Sequence, residues 1–339
     1  MAVSLKDISE RVHINTCSIS QVLNNHPRAK TLRPETREKI LAAARELGYF
    51  KNELAASVAR KNSNVLVFVT ADMGSIEYTG RIQNGVLDAA GSCNYMVILQ
   101  RLNRNSNADT IQKILGWRAA GVIFHVADLA CIAEITAVLD EQHIPWGTVN
   151  LSNPGGIGTT SDDFSGVRDA VRMLRELEHR NIAFFTVGAA REEFQINREK
   201  GYLAGIRESG DPQETYIFRA DDPSGLEDTF FCRMLQELSD KKIDAVICTS
   251  DHLALALAHA AAANHLQIPQ AFSIVGFGNS VIAENAYPPL STIAQDFEEM
   301  GAQTVQNLVD VIEKRKDKSN CSKLLPTQVI QRFSVKQPI

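Results

Sequence analysis

The sequence predicts an α/β protein: a small N-terminal three-helix head followed by two Rossmann-like lobes. Three observations lead there. The chain's 339 residues are too many for one simple core. Beyond residue 60, short β-branched runs such as Val65-Leu66-Val67-Phe68-Val69 alternate with helical stretches. Before it, apolar residues recur at helical spacing in three short segments separated by turn signals.

In the head, Ser4-Leu5-Lys6-Asp7 has the Ser-x-x-Asp/Glu form, in which Ser4 caps backbone donors and Asp7 caps in return. Leu5, Ile8 and Val12 then share one face of a first helix. Asn15 reads as the cap of a second helix, whose buried face is Ile19, Val22 and Leu23. Thr16, Cys17, Ser18, Ser20, Gln21 and Asn24 are left pointing elsewhere. A third helix opens at Pro34, buries Ile40, Leu41, Ala44 and Leu47, and closes at Gly48 as a left-handed cap. Two short helices across a tight turn, with small polar groups on the free face of the second, form a helix-turn-helix pattern. Such a second helix enters the DNA major groove N-terminus first. Short hydroxyls there donate to phosphates, and Gln21 is long enough to read a base edge, typically adenine. Charge agrees. Residues 1–60 carry ten Lys/Arg against six Asp/Glu, a balance of +4 within a chain of −5, so the remainder carries −9. A basic head on an acidic body suits one small module placed against phosphate.

Further strand candidates are Met96-Val97-Ile98-Leu99, Gly121-Val122-Ile123-Phe124, Gly147-Thr148-Val149, Ile182-Ala183-Phe184-Phe185, Ala245-Val246-Ile247-Cys248 and Ser273-Ile274-Val275-Gly276-Phe277. Near-continuous apolar runs between helices mark parallel strands buried on both faces. Seven such units exceed one ordinary sheet, hence two lobes, with a ligand cleft expected at the carboxyl ends of their strands.

Several function classes are excluded. The six cysteines are scattered with no C-x-x-C pair, the pattern of a reducing compartment without disulfides or a zinc site. No basic-then-apolar leader and no run of about 18 apolar residues is found, so a cytoplasmic protein with no membrane segment is expected. There is no G-x-S-x-G, no phosphate-binding glycine loop and no H-E-x-x-H, so no catalytic residue, metal or cofactor is assigned, and the chain is not read as an enzyme. His252, His259 and His265 read as surface or packing residues, and Asp162-Asp163 as neighbours facing opposite ways.

At this point the residues carry a family resemblance. Leu5-Lys6-Asp7-Ile8, Ser18-Ile19-Ser20-Gln21-Val22-Leu23-Asn24-Asn25, Glu35-Thr36-Arg37-Glu38-Lys39-Ile40-Leu41 and Glu46-Leu47-Gly48-Tyr49 resemble the head of the lactose/galactose-repressor (LacI/GalR) family. Ser161-Asp162-Asp163, Arg198-Glu199-Lys200-Gly201-Tyr202, Pro288-Pro289-Leu290-Ser291-Thr292-Ile293 and Glu299-Met300-Gly301 continue it through the body. The resemblance implies a ligand-responsive, sequence-specific transcriptional regulator, most simply a repressor of a carbohydrate or related metabolite operon. Its core would be of periplasmic-binding-protein type. Its partners would be a double-stranded DNA operator, a small-molecule effector (sugar, sugar phosphate or related metabolite) and a second copy of itself. With no leucine-heptad tail, a dimer is expected.

The implied organisation is a DNA-binding domain over 1–48, a hinge over 49–62, a first lobe over 63–161 with 293–319, and a second lobe over 162–292 with 320–339. The resemblance puts Leu5, Thr16, Cys17, Ser18, Ser20, Gln21 and Asn24 at the DNA, with Ala55 and Val58 of the hinge in the minor groove. It puts Tyr78, Asn150, Arg198, Ser250, Asn279 and Gln295 at the effector, Arg198 foremost because its fork of donors suits oxygen-rich ligands.

Departures from the family's pattern are informative. His13 stands where glycine is usual, so a strained turn is expected. Gln21 replaces the usual arginine, Val58 the usual leucine, and the loop His26 to Arg33 is longer, adding Arg28, Lys30 and Arg33. Gly278 stands where an aspartate commonly grips sugar hydroxyls, and Ser250 where asparagine is common. That loss leaves room for an anionic or phosphorylated ligand. Tyr78 and Trp146 could each stack on a sugar face or simply be core. Two rivals are a cytoplasmic solute-binding protein and an α/β enzyme of the same core fold.

Overall fold

The computed structural model describes residues 3–24, 26–50, 63–71, 77–103, 106–188, 192–210, 214–221 and 226–337. It divides into two compact units, Met1–Ser63 and Asn64–Ile339.

The smaller unit holds helices α1 (Leu5–Val12), α2 (Thr16–Leu23) and α3 (Pro34–Glu46). Both expected caps are present. Ser4 Oγ and the Asp7 carboxylate cap each other's backbone N–H groups, and Asn15 Oδ1 accepts from Ser18 N at 2.8 Å. The turn between α1 and α2 runs through His13 at φ 57°, ψ 41°, so a side chain does occupy the left-handed position. Ile8, Val12, Ile19, Val22, Ile40 and Ala44 form the core. Leu41 is a correction: it is exposed, and Ala43 is buried in its place. Counting from Ile40, the residues on the same face are three and four ahead, and the next residue is turned about 100° away. The longer loop between α2 and α3 has a turn of its own. Pro27–Thr31 forms a 3-10 helix, with Arg28 N donating to His26 Nδ1 and Ala29 buried beneath.

The larger unit contains two six-stranded sheets. The first is built from β1 (Val65–Thr70), β2 (Met96–Arg101), β3 (Gly121–His125), β4 (Trp146–Val149), β5 (Ile157–Ser161) and β11 (Ser322–Leu325). Its order is β2-β1-β3-β4-β5-β11, all parallel. The second contains β6 (Ile182–Val187), β7 (Tyr216–Ala220), β8 (Ala245–Cys248), β9 (Ser273–Gly278), β10 (Ser291–Ala294) and β12 (Gln328–Ile330). It repeats the order, β7-β6-β8-β9-β10-β12, with only β12 antiparallel. In both, the order reverses beside the first strand, the switch point where such sheets bind ligands.

Each sheet is covered on both faces. On the first, α4 (Glu77–Ser92) and α12 (Phe297–Ile312) pack with Ile82, Val86, Met300 and Leu308 on one side. The helices α5 (Asn107–Gly116) and α6 (Ala133–Glu141) place Ile114, Ile135 and Leu139 on the other. On the second, α7 (Asp163–Glu176) and α8 (Glu193–Glu208) oppose α9 (Asp228–Asp240) and α10 (Asp251–Ala263). A short α11 (Val281–Asn285) follows β9. Helices α4 and α12 touch backbone to backbone: a Cβ on Gly85 would lie 1.9 Å from Glu298 O.

The chain passes between lobes three times, after β5, after β10 and after β11. These passages are bonded to one another. Asp162 N donates to Leu325 O at 2.8 Å, Thr327 Oγ1 to Asp162 O at 3.0 Å, and Gln295 Nε2 to Ser161 Oγ at 2.5 Å. The last return differs from the expected boundary at 320. Ser322–Leu325 pairs in register with Gly158–Ser161 of the first sheet, so the chain joins the second only at Gln328.

Candidate functional site

The head presents one polar helix face. At 100° per residue, Thr16, Ser20, Asn24, Cys17 and Gln21 fall within an arc of about 140° on α2, and Ser18 lies on its flank beside Val22. Thr16, Cys17 and Asn24 are exposed, and Ser18, Ser20 and Gln21 half-buried. Two of the longer side chains are folded back on the helix. Gln21 Nε2 donates to Cys17 Sγ at 3.6 Å, and Asn24 Nδ2 to Ser20 O at 2.7 Å. The helix carries no charge, and exposed Arg28, Lys30 and Arg33 follow it. Leu5 is half-buried against the head core. Ala55 and Val58 lie outside the described residues.

In the larger unit a cavity of about 450 Å³ opens at the carboxyl ends of both sheets. Of the residues expected there, Tyr78, Asn150, Arg198, Ser250 and Gln295 line it. Asn279 does not. Its Oδ1 accepts from Arg332 Nη2 at 2.7 Å and its N–H donates to Thr292 Oγ1 at 3.2 Å, which holds the side chain in the lobe. Trp146 is also elsewhere, because it begins β4 while Asn150 follows its carboxyl end. The Trp146 indole N–H donates to Asp140.

Arg198 is the most constrained group in the cleft. Its Nε donates to Asp163 Oδ2 at 2.8 Å, Nη1 to Thr249 O at 2.6 Å and Nη2 to Gln295 Oε1 at 3.4 Å. Its guanidinium lies 3.6 Å from the Phe277 ring centroid and 4.9 Å from that of Phe194. Burial raises the Asp163 carboxyl above its usual range, opposed by Arg198 and by a hydrogen bond from Ser161. Ser250 caps α10, its Oγ accepting from Leu253 N.

Neither residue types nor the resemblance pointed to the rest of the site. Arg81 forks onto Glu298 through Nε and Nη2 at 2.8–3.0 Å and reaches Asn279 O through Nη1 at 3.3 Å. Hydrogen bonding to Arg81 holds Glu298 below its usual range. Asp251, 1% exposed, takes Thr292 Oγ1 on one oxygen and Ser280 N and Oγ on the other. Tyr78 stacks on Phe297 at 5.3 Å. The cleft is bridged on two sides. Ser152 donates from N and Oγ to Glu193, and Val281 N donates to the Glu77 carboxylate at 3.0 Å. Among the described residues, no cluster of His, Cys, Asp or Glu is arranged to hold a metal, and no helix is long and apolar enough to cross a membrane.

Residues 171–335 match the family model for a periplasmic binding protein-like domain. Over 99% of its length the chain is 26% identical to catabolite control protein A of Priestia megaterium, covering 100% of that protein. It is 28% identical to the HTH-type transcriptional repressor CytR of Escherichia coli K12, covering 99% of this chain and 97% of that one. The lac repressor dimer bound to operator and the anti-inducer ONPF superposes with a TM-score of 0.80 at 21% identity, over 98% of this chain and 99% of that one. A cellobiose complex of the regulator CelR gives 0.66 at 23% identity, over 98% and 99%. A helix-turn-helix head and a two-lobe unit with a cleft thus make the chain similar, over nearly its whole length, to transcriptional regulators.

Proposed function

We propose that the protein is a ligand-responsive, sequence-specific DNA-binding regulator of transcription, acting in the cytoplasm as a dimer and most simply as a repressor. One observation carries the reading: an exposed, uncharged polar helix face and a bridged two-lobe cleft occur in one chain that aligns with regulators over 98–99% of its length. In the proposed mechanism, α2 reads a half-site. Thr16, Cys17, Ser18, Ser20, Gln21 and Asn24 face the groove, and Leu5 supports the entry of α1. Arg28, Lys30 and Arg33 would supply the phosphate contacts that α2 lacks. Ala55 and Val58 of the joining segment would enter the minor groove at the centre of a near-palindromic site.

The cleft is the sensor, with Tyr78, Asn150, Arg198, Ser250 and Gln295 at the ligand. The three bonded passages between lobes act as the hinge, and a ligand that prefers one lobe angle shifts the population toward it. Its effect on DNA can be no larger than its differential affinity for the two states. The lobes are proposed to run over 63–161 and 162–292, exchanging β10 to α12 and β11 to β12 at the passages described above. The lac repressor and CelR structures hold an anti-inducer and cellobiose respectively, which supports a small molecule in this fold. The test is footprinting of the full-length protein on DNA flanking its own gene. A protected symmetric site at moderate salt is expected, and no protection on any fragment would refute the reading.

A further inference from the structure

We infer that Trp146, the ring that the cleft leaves out, forms one wall of a second binding site on the first lobe. This site takes a small uncharged ring bearing hydroxyl groups, such as a monosaccharide or a cyclitol.

A pocket of about 200 Å³ opens at the amino ends of β4 and β5, whereas the cleft lies at the carboxyl ends of the strands. None of its lining residues lines the cleft, so the site is independent of the regulator reading. Trp146 is half-buried, its ring meeting Phe124 edge-on at 6.1 Å. Its indole N–H donates to Asp140 Oδ1 at 3.1 Å, which sets the rotation of the ring. Arg198 and Arg81 cover phenylalanine faces in the cleft, but among the described residues no cation lies over the indole.

The facing wall is the loop between β4 and β5. Asn153, 8% exposed, ties it down: its Nδ2 donates to Ile157 O at 3.1 Å, and its carbonyl accepts from Gly156 N at 3.0 Å. Gly155 sits at φ 75°, and a Cβ on Gly156 would lie 2.4 Å from Asn153 Nδ2, so this turn needs both glycines.

The polar groups left over decide the ligand. Among the described residues, Asp140 Oδ2 and Asn153 Oδ1 accept no hydrogen bond. Lys318 Nζ stands 3.8 Å from Asp140 Oδ1, beyond hydrogen-bond distance, with its three N–H donors uncommitted. The lining therefore offers acceptors and a donor side by side, and its one carboxylate and one ammonium cancel. A hydroxyl both donates and accepts, so a ring with several hydroxyls satisfies all three groups without burying an unpaired charge. The indole face, with Pro145 and Pro154 beside it, receives the C–H surface of such a ring. The space is smaller than the roughly 300–1,000 Å³ of drug-sized pockets, which suits a single ring.

The test is an NMR titration of the full-length protein that follows its two tryptophan indole N–H signals, with Trp146→Phe identifying the one from Trp146. The probes are methyl glucoside, methyl galactoside, myo-inositol and glycerol. At least one ring polyol is expected to shift the Trp146 signal saturably, and whether it is a glycoside or the inositol separates the two sources. Glycerol, which has hydroxyls but no ring, is expected to bind at least about tenfold more weakly. Asp140→Asn keeps an acceptor for the indole but removes the charge that grips a hydroxyl, so it should weaken binding by about tenfold, with an unchanged Trp117 signal showing that the variant is folded. Phe194→Ala, in the cleft, should leave the Trp146 response as it is. No saturable shift with any ring polyol overturns the inference. So do an equally strong response to glycerol, an undiminished response in Asp140→Asn and a response lost in Phe194→Ala.

Discussion

On α2 of the head, Gln21 and Asn24 each bond to a residue four positions back. In the cleft, Arg198 reaches Asp163 across 35 positions and Arg81 reaches Glu298 across 217. Both regions are polar, but the first satisfies itself within one turn of helix and the second across the whole fold. The difference bears on function. A side chain bonded only to its own helix can exchange that bond for a base edge without disturbing the head's core. A side chain that ties together strand ends and lobe passages cannot be moved without moving the lobes.

The largest expected effect lies in the cleft. Arg198→Ala strips a buried carboxylate of its partner, so urea unfolding of the core should lose about 3–5 kcal/mol. A loss well under 1 kcal/mol would mean that the pair is not structural. Next comes the reading face. Gln21→Ala should relax selectivity at one base pair of each half-site by about 1–3 kcal/mol, while Ser18→Ala weakens all sequences alike. Selection on randomised half-sites distinguishes the two, and identical uniform losses would show that the roles are misassigned.

Smaller still is the turn. His13→Gly removes a side chain from a left-handed backbone position and should stabilise the head by about 1 kcal/mol, read as a higher melting temperature. A lower one would show that the imidazole has a role that the strain argument omits. The smallest effect concerns Glu298, whose side chain is 44% exposed. Its carboxyl is held down by Arg81, so its contribution is present above the ordinary glutamate range of about pH 4.3 and is lost as pH falls through the lower folded value. Solvent screening keeps this below about 1 kcal/mol. Glu298→Gln should flatten that part of the acid unfolding curve, and an unchanged curve would remove Glu298 from the account.

The same contrast explains what was legible in the sequence. Ser4 with Asp7, Asn15, Pro34 and Gly48 mark helix ends through contacts a few residues long, so the head could be read directly. Strands buried on both faces, such as Val65–Thr70, declared themselves by composition. Ile157–Ser161 and Ser322–Leu325 did not, because the first is mostly glycine and hydroxyl residues and the second lies largely exposed at the edge of its sheet. Arg198 was placed by resemblance, and the fold brings it to the cleft. Arg81, Asp251 and Glu298 carried no local signal, since their meaning depends on partners brought together only by the fold. Asn279 stands off the cavity lining for the same reason: Arg332, which holds it, is 53 positions away.

The central claim is that occupancy of the cleft and reading by the head are coupled. Fluorescence anisotropy on the footprinted fragment, with and without a saturating cleft ligand, tests this most directly. Coupling between the two predicts a changed DNA affinity, with the ligand's own affinity changed by the same factor when DNA is bound. Equal DNA affinity in the presence and absence of a ligand shown to occupy the cleft would contradict it.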